Sequence, residues 1–196
     1  MTTTLNNVIC MKWGDKYSAD YVNILFNMVS RNLTIPFRFV CFTDDPKGIN
    51  DKIETFELPS LNLPNNLPER GWLKLTTFSK NLADLEGKAL FLDLDLIVTG
   101  SLDELFAIEG DFFIIKDFIR KDLTGNSSVY RFEIGQHEDV IDHFKNNFKD
   151  IKTKHRNEQE YLSAFMDKKE QLSYWPDDWC KSFKKHCIHK GLKQFF

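Results

Sequence analysis

The chain has 196 residues, 42% of them hydrophobic, and a formal net charge of −3, which suits one large α/β domain and argues against two independent ones. With no global basic excess, nucleic acid is not an expected partner. No apolar stretch approaches the roughly 20 residues of a membrane span, and the N-terminal MTTTLNNVICMKWG lacks the charged start and apolar run of a secretory signal, so a cytoplasmic protein is expected.

In chain order, NVICMKW (7–13) reads as a buried strand, followed by the turn-like GDKY and a helix over about 18–30. In that helix Val22, Leu25, Phe26 and Val29 follow the spacing of one face packed on a sheet. FRFVCF (37–42) is the next strand and TDDPKG the turn that closes it, which together make a β-α-β unit with parallel strands. IETFEL (53–58) is a third strand. The prolines at 59, 64 and 68 and asparagines at 62, 65 and 66 then predict a mobile or functional loop. A short helix over 72–81 leads through LEGK into ALFLDLDLIV, after which Ser101 and Glu104 form a capping-box pattern for another helix. FFII (112–115) and SSVYRFEI (127–134) look like strands, and HEDVIDHFKNNF and NEQEYLSAFM like helices. The second half thus predicts a mixed sheet with antiparallel additions.

Cys10, Cys41, Cys180 and Cys187 show no CxxC pair and read as reduced thiols, two of them in core strands. CKSFKKHCIHK gathers Cys180, His186, Cys187 and His189, but without the two spaced ligand pairs of structural zinc.

Asp93 and Asp95 stand at the end of the most apolar run of the chain. If the strand continues through them, both carboxylates point to one face and Leu92, Leu94 and Leu96 to the other. Two like charges so close repel, and a bridging Mg²⁺ or Mn²⁺, which prefers oxygen ligands, relieves that repulsion. In open α/β sheets ligands bind beyond the carboxyl ends of strands, which is where ALFL gives way to DLD. A solvated amphipathic strand is the plain alternative. The unbroken apolar run of residues 89–92 favours instead a strand covered on both faces.

FLDLDLIVTGSLDELF resembles nucleotide-sugar glycosyltransferases of the GT-A fold, among them family 8-like bacterial lipopolysaccharide and cell-surface polysaccharide transferases and glycogenin. It also resembles, less closely, haloacid-dehalogenase-like phosphatases, where the first aspartate of D-x-D, here Asp93, is the nucleophile. The β-α-β unit ahead of the motif and the missing glycine-threonine after it favour the first. A non-catalytic nucleotide-binding domain is the third reading. The favoured resemblance implies a mainly parallel mixed sheet flanked by helices in a single 1–196 domain, with a nucleotide-binding half (1–100) and a donor-sugar and acceptor half (101–196). It implies a hexosyltransferase that uses Mn²⁺ or Mg²⁺ on Asp93 and Asp95 and moves a sugar from a UDP-sugar to a glycan or lipid-linked acceptor in cell-surface glycan synthesis. The expected place is the cytoplasm or the inner face of the membrane.

Residue by residue, CMKWGDKY resembles the segment that cradles the nucleotide, which points to Lys12, Trp13, Gly14 and Tyr17, with Trp13 or Tyr17 on the base. FTDD adds Thr43 and Asp44, and RGWLKL adds Lys74 near the diphosphate or the aspartates. GNSSVYRF points to Asn126, Ser127 and Ser128 beside the donor sugar. NEQEYL points to Gln159 there and to Glu158 as the general base of an inverting enzyme. YWPDDWCKSFKKH suggests Asp177 and Trp179 on the acceptor side. For the family's C-terminal histidine ligand only His189, with Gly191, is a loose match. The lysine- and phenylalanine-rich C-terminal tail is a candidate for peripheral membrane contact, with a frayed, solvated end as the commoner alternative.

Overall fold

In the computed structural model, residues 6–64 and 70–188 are described. β1 (Asn6–Lys12), α1 (Ala19–Asn32), β2 (Arg38–Thr43) and β3 (Glu54–Glu57) open the chain, and a 3₁₀ helix (Arg70–Phe78) leads to β4 (Lys88–Leu92). Then come α2 (Asp103–Ala107), β5 (Phe112–Lys116), β6 (Gly125–Glu133), α3 (Glu138–Lys154), α4 (Glu158–Lys168), β7 (Leu172–Tyr174) and a π-helical turn (Phe183–Cys187).

The strands form one sheet in the order β3-β2-β1-β4-β6-β5-β7. β1 pairs parallel with β2 and β4, as do β2 with β3 and β5 with β7, while β6 runs antiparallel to both β4 and β5. The expected mixed, mainly parallel sheet is therefore present. From β1 the chain first builds outward through β2 and β3, then returns to place β4 on the other side of β1. That reversal makes a switch point between β1 and β4, where connections diverge and leave a crevice beyond the strand ends.

Alternation along the strands divides the core in two. Ile9, Met11, Val40, Phe42, Phe91 and Tyr130 face the 3₁₀ helix, α3 and α4. Val8, Cys10, Phe39, Cys41, Leu90 and Leu92 face α1 and α2. Cys10 and Cys41 are register partners on adjacent strands and remain free thiols.

Several expectations are corrected. The helix expected over 72–81 is a 3₁₀ helix buried from Trp72 to Phe78, in which Thr76 and Thr77 donate their hydroxyls to the carbonyls of Leu73 and Lys74, three residues back. Bonds of that span favour the tighter winding. The Ser101–Glu104 capping box does not form: Ser101 Oγ accepts from the Asp103 amide, and α2 starts only there, with Leu102 as its N-cap. Asp103 is held by Thr34, whose amide and hydroxyl both donate to it at 2.8 Å. α3 runs on to Lys154, past a break at Asn147, whose side chain donates to the His143 carbonyl. β7, three residues long, was not expected at all. Of the proline-rich loop, residues 65–69 lie outside the described residues; Leu61 before them is packed in the core. Among the described residues no helix is long and apolar enough to cross a membrane.

Two buried polar side chains set local stability. Arg131, 1% exposed, donates to the carbonyls of Leu105 (3.0 Å), Ile108 (2.6 Å) and Gly110 (2.5 Å), with its guanidinium 4.8 Å from the centre of the Phe113 ring. Arg131→Leu strands those carbonyls, and a loss of about 3 kcal/mol or more is expected in urea unfolding, with Arg131→Lys recovering only part. His137, also 1% exposed, lies edge-on to Phe78 and Phe112, and neither ring nitrogen meets hydrogen-bond geometry. Burial lowers its pKa below the ordinary imidazole value; the Lys169 charge adds to this, and Asp139 and Asp111 oppose it. The unfolded chain therefore binds the proton more readily, so His137 adds no proton-linked cost above pH of about 6.5 and destabilises as pH falls below it, until the folded-state pKa is passed. The urea midpoint of the wild type is expected to drop between pH 7 and 5 more steeply than that of His137→Leu.

Candidate functional site

β1, β4, β5 and β7 all end on one edge of the sheet, because β6 is antiparallel to its neighbours, and the candidate residues collect along that edge. β4 stops at Leu92, so the expectation that the strand continues through both aspartates is corrected: Asp93 follows the last strand residue and Leu94–Asp95 form a turn. Leu92 pairs with Val129, and the Asp93 amide still donates to the Ser128 carbonyl (2.9 Å), but the chain then leaves the sheet. Leu94 stays buried while Asp95 is exposed, so the leucine between the carboxylates anchors the turn.

Each carboxylate is held by a different element. Lys74 Nζ, from the 3₁₀ helix, lies 2.7 Å from Asp93 Oδ1. The Tyr17 hydroxyl, from just ahead of α1, donates to Asp95 Oδ2 at 2.8 Å. Tyr17 was expected as a platform for a base; its contact with the second aspartate was not foreseen, and only a pairing of the GDKY turn with the D-x-D turn could have signalled it.

Lys74 is buried and also donates to the Ser127 carbonyl (3.2 Å) and to Ser127 Oγ (3.4 Å). Ser127 Oγ donates in turn to Glu158 Oε1 (2.7 Å), and the Ser127 amide to Gln159 Oε1 (3.3 Å). These bonds are available because of a bulge: Ile114 pairs with Tyr130 but Ile115 with Asn126, so residues 127–129 are released from β5. Bulges of this kind re-aim backbone and side chains beside sites. Asn126 Oδ1 accepts from the Ser128 amide (3.0 Å) and fixes the loop. Glu158 and Gln159 reach the site because Asn157 caps α4, its side chain accepting from the Glu160 amide (3.1 Å). The structure brings Lys74, Asp93, Ser127, Glu158 and Gln159, to which the resemblance pointed, into one hydrogen-bonded cluster. Glu158, expected as a general base, is only 8% exposed and engaged with Ser127.

Beyond the ends of β1 and β2 lies a cavity of about 490 Å³ lined by Lys12, Gly14, Tyr17, Ser18, Asp44 and Lys47, with Asp15, Ala19 and Asp45. Gly14 has φ of 61°, a left-handed turn that suits glycine, and its amide donates to Asp44 Oδ2 (2.9 Å). Lys12 Nζ donates to the Asp45 carbonyl (3.2 Å), which also accepts the Thr43 hydroxyl (3.0 Å). Trp13 and Thr43 do not line this cavity; Trp13 packs instead against the core face of Ile9 and Met11.

A second cavity, of about 300 Å³, opens beyond β5 and β7 and is lined by Lys116, Phe118, Trp175, Asp177, Lys181 and His186 among others. Asp177 is therefore in a cavity, but three strand positions away from β4, and the partly exposed Trp179 stacks on Trp175 at 6.2 Å beside it. His189 and Gly191 lie outside the described residues, and among the described residues no group of three or more histidine, cysteine or carboxylate side chains is placed to hold a metal ion.

No family model matches the sequence, and no curated protein matches it. Among solved structures the chain is similar to the apo form of the glycosyltransferase GlyE of Streptococcus pneumoniae TIGR4, with a TM-score of 0.59 and 15% identity over 90% of this chain and 46% of GlyE. It is also similar to the galactosyltransferase LgtC in complex with donor and acceptor sugar analogs, with a TM-score of 0.62 and 15% identity over 86% of this chain and 72% of LgtC. The chain spans about half the length of GlyE. At this identity what is shared is the fold: the seven-stranded, mostly parallel sheet flanked by helices is the GT-A arrangement.

Proposed function

We propose that the chain is a glycosyltransferase of the hexosyl type that moves a sugar from a UDP-sugar to a hydroxyl acceptor. The observation that carries this reading is the order of features along one sheet edge. A cavity with Lys12 and Tyr17 lies beyond β1, a carboxylate pair tethered by Tyr17 and Lys74 follows β4, and the polar bulge of β6 meets that pair through Lys74. Nucleotide, diphosphate and sugar of one donor would need that order. GlyE and LgtC, of the same fold, are glycosyltransferases by name, and LgtC was captured with donor and acceptor sugar analogs.

Asp93 and Asp95 fit a divalent ion by donor chemistry: both are hard oxygen ligands, each oriented by a bond to a different element. Two protein ligands suffice for Mg²⁺ or Mn²⁺, which keep waters and take substrate phosphate oxygens. Bound there, such an ion would neutralise the charge that develops on the diphosphate as the bond to the sugar C1 breaks. Lys74 and Lys12 add positive charge around the same diphosphate, and the crevice strengthens that attraction by excluding water. Asn126, Ser128 and Gln159 offer polar groups to the donor sugar. The acceptor hydroxyl must lose its proton to an oxygen within hydrogen-bond reach, and the leaving diphosphate supplies one.

The cavity beyond β5 and β7, with Asp177 and the adjoining Trp179, is the proposed acceptor side. Exposed Trp179, Phe183 and Ile188 with Lys184 and Lys185 beside it suit a lipid-linked acceptor at the inner membrane face, within cell-surface glycan synthesis.

Calorimetry with UDP, with and without Mn²⁺, tests the reading. UDP binding that requires Mn²⁺ and weakens at least about tenfold in Asp95→Ala is expected, since Asp95 is exposed and its loss leaves the core intact. Folded protein that binds no UDP under either condition overturns it, and phosphate release from a model ester would then assign Asp93 the role of a phosphatase nucleophile.

A further inference from the structure

We infer that Glu158 is a positioning residue that acts on Lys74 through Ser127, and that Gly71 provides the space this requires. The catalytic consequence rests on the proposed function; the network itself does not.

The direction of each bond fixes the next. A serine hydroxyl has one proton, and Ser127 gives it to Glu158 Oε1 at 2.7 Å, so toward Lys74 it can only accept. An ammonium has three protons, and Lys74 directs them to Asp93 Oδ1 (2.7 Å), the Ser127 carbonyl (3.2 Å) and Ser127 Oγ (3.4 Å). Without an acceptor oxygen placed as Glu158 Oε1 is, the Ser127 hydroxyl could rotate and present its proton to the ammonium, which would push Lys74 away from one of its three partners. Glu158 therefore keeps the lysine aimed at Asp93 through Ser127, without an ion pair of its own to the lysine.

Gly71 is the complementary half of the arrangement. A Cβ at this position would stand 2.8 Å from Glu158 Oε2 and 3.4 Å from its Cδ, so the carboxylate rests directly against bare backbone. Gly71 precedes Lys74 by three residues, and in a 3₁₀ helix residues three apart lie on the same side. The same face that extends the lysine to Asp93 thus receives the carboxylate that steadies it. With Oε1 engaged by Ser127 and Oε2 set against Gly71, both oxygens of Glu158 face protein, and the residue is only 8% exposed.

Gly71→Ala tests this without altering any charged group, because the added methyl displaces the carboxylate while the backbone at Gly71 needs no left-handed conformation. Reductive methylation followed by peptide mass spectrometry reports how tightly Lys74 is held, with exposed Lys47 as internal reference. Gly71→Ala and Ser127→Ala are expected to label Lys74 several-fold faster than wild type, and Glu158→Gln, whose amide oxygen still accepts from Ser127, to stay nearer to it. In hydrolysis of UDP-galactose or UDP-glucose the first two are expected to lose about ten- to a hundredfold in kcat with little change in KM, while Glu158→Gln recovers part of that loss. Unchanged Lys74 labelling in both Gly71→Ala and Ser127→Ala, with melting curves showing folded protein, overturns the network. A Glu158→Gln rate as low as theirs overturns the positioning role in favour of a base. The expected labelling pattern in a protein that neither binds UDP nor hydrolyses a UDP-sugar leaves the network standing and removes the proposed function instead.

Discussion

The crevice depends on the register of β6 against β4. Leu92 opposite Val129 is the last pair, and the next hydrogen bond, from the Asp93 amide to the Ser128 carbonyl, sets the point where the first aspartate leaves the sheet. A slip of one residue would turn every side chain of β6 to the other face and take Ser127 away from Lys74. The start of β6 is pinned as well. The Gly125 amide donates to Ser163 Oγ (2.8 Å), and a Cβ on Gly125 would meet the Ile114 side chain at 2.8 Å, so glycine is what allows β6 to lie close to β5 just before the bulge.

Four residues beyond Ser127, Arg131 holds that register from the opposite face. Its guanidinium gathers the carbonyls at and after the end of α2, and Lys88 Nζ adds a bond to the Phe106 carbonyl (2.9 Å). Carbonyls at a helix end lack partners within the helix, and two cations from the sheet supply them. Because α2 follows the D-x-D turn, this attachment secures the segment after the aspartates as β4 secures the segment before them. α1 contributes the third point, through the Leu102 amide on the Asn32 carbonyl (2.7 Å) and Thr34 on Asp103. A turn carrying two like charges is thereby held from three directions, none of which uses the carboxylates themselves.

What could be read from sequence follows from the range over which each feature is determined. The β-α-β unit was legible because Val22, Leu25 and Val29 repeat with helical spacing between two apolar runs, and all three are buried. The point where the chain leaves the sheet at the aspartates was legible because an abrupt change from ALFL to DLD is local. The 3₁₀ winding of 70–78 was not, since it depends on where the Thr76 and Thr77 hydroxyls go in a fully buried segment whose apolar pattern is also helical. β7 has three half-buried residues and exists only because β5 offers an edge, so no periodicity announces it. The partners of Asp93 and Asp95 belong to segments distant in sequence; Lys74 was found through a motif, while the contact of Tyr17 with Asp95 depends on how the turn before α1 meets the turn after β4.

The two aspartates are consequently not equivalent. Asp93 faces a full positive charge at 2.7 Å, whereas Asp95 receives a neutral hydroxyl. Under the proposed function, Lys74 must share Asp93 with a second cation, and like charges at one carboxylate repel strongly in a crevice that water leaves. The arrangement contains its own relief. Of the three acceptors of Lys74, two belong to Ser127 and do not depend on Asp93. Lys74 can therefore turn its third proton from Asp93 to an incoming phosphate oxygen while it remains anchored, freeing the carboxylate as the diphosphate brings its own negative charge. Under the proposed function that exchange would couple donor binding to metal binding, with Glu158 holding Ser127 as the pivot.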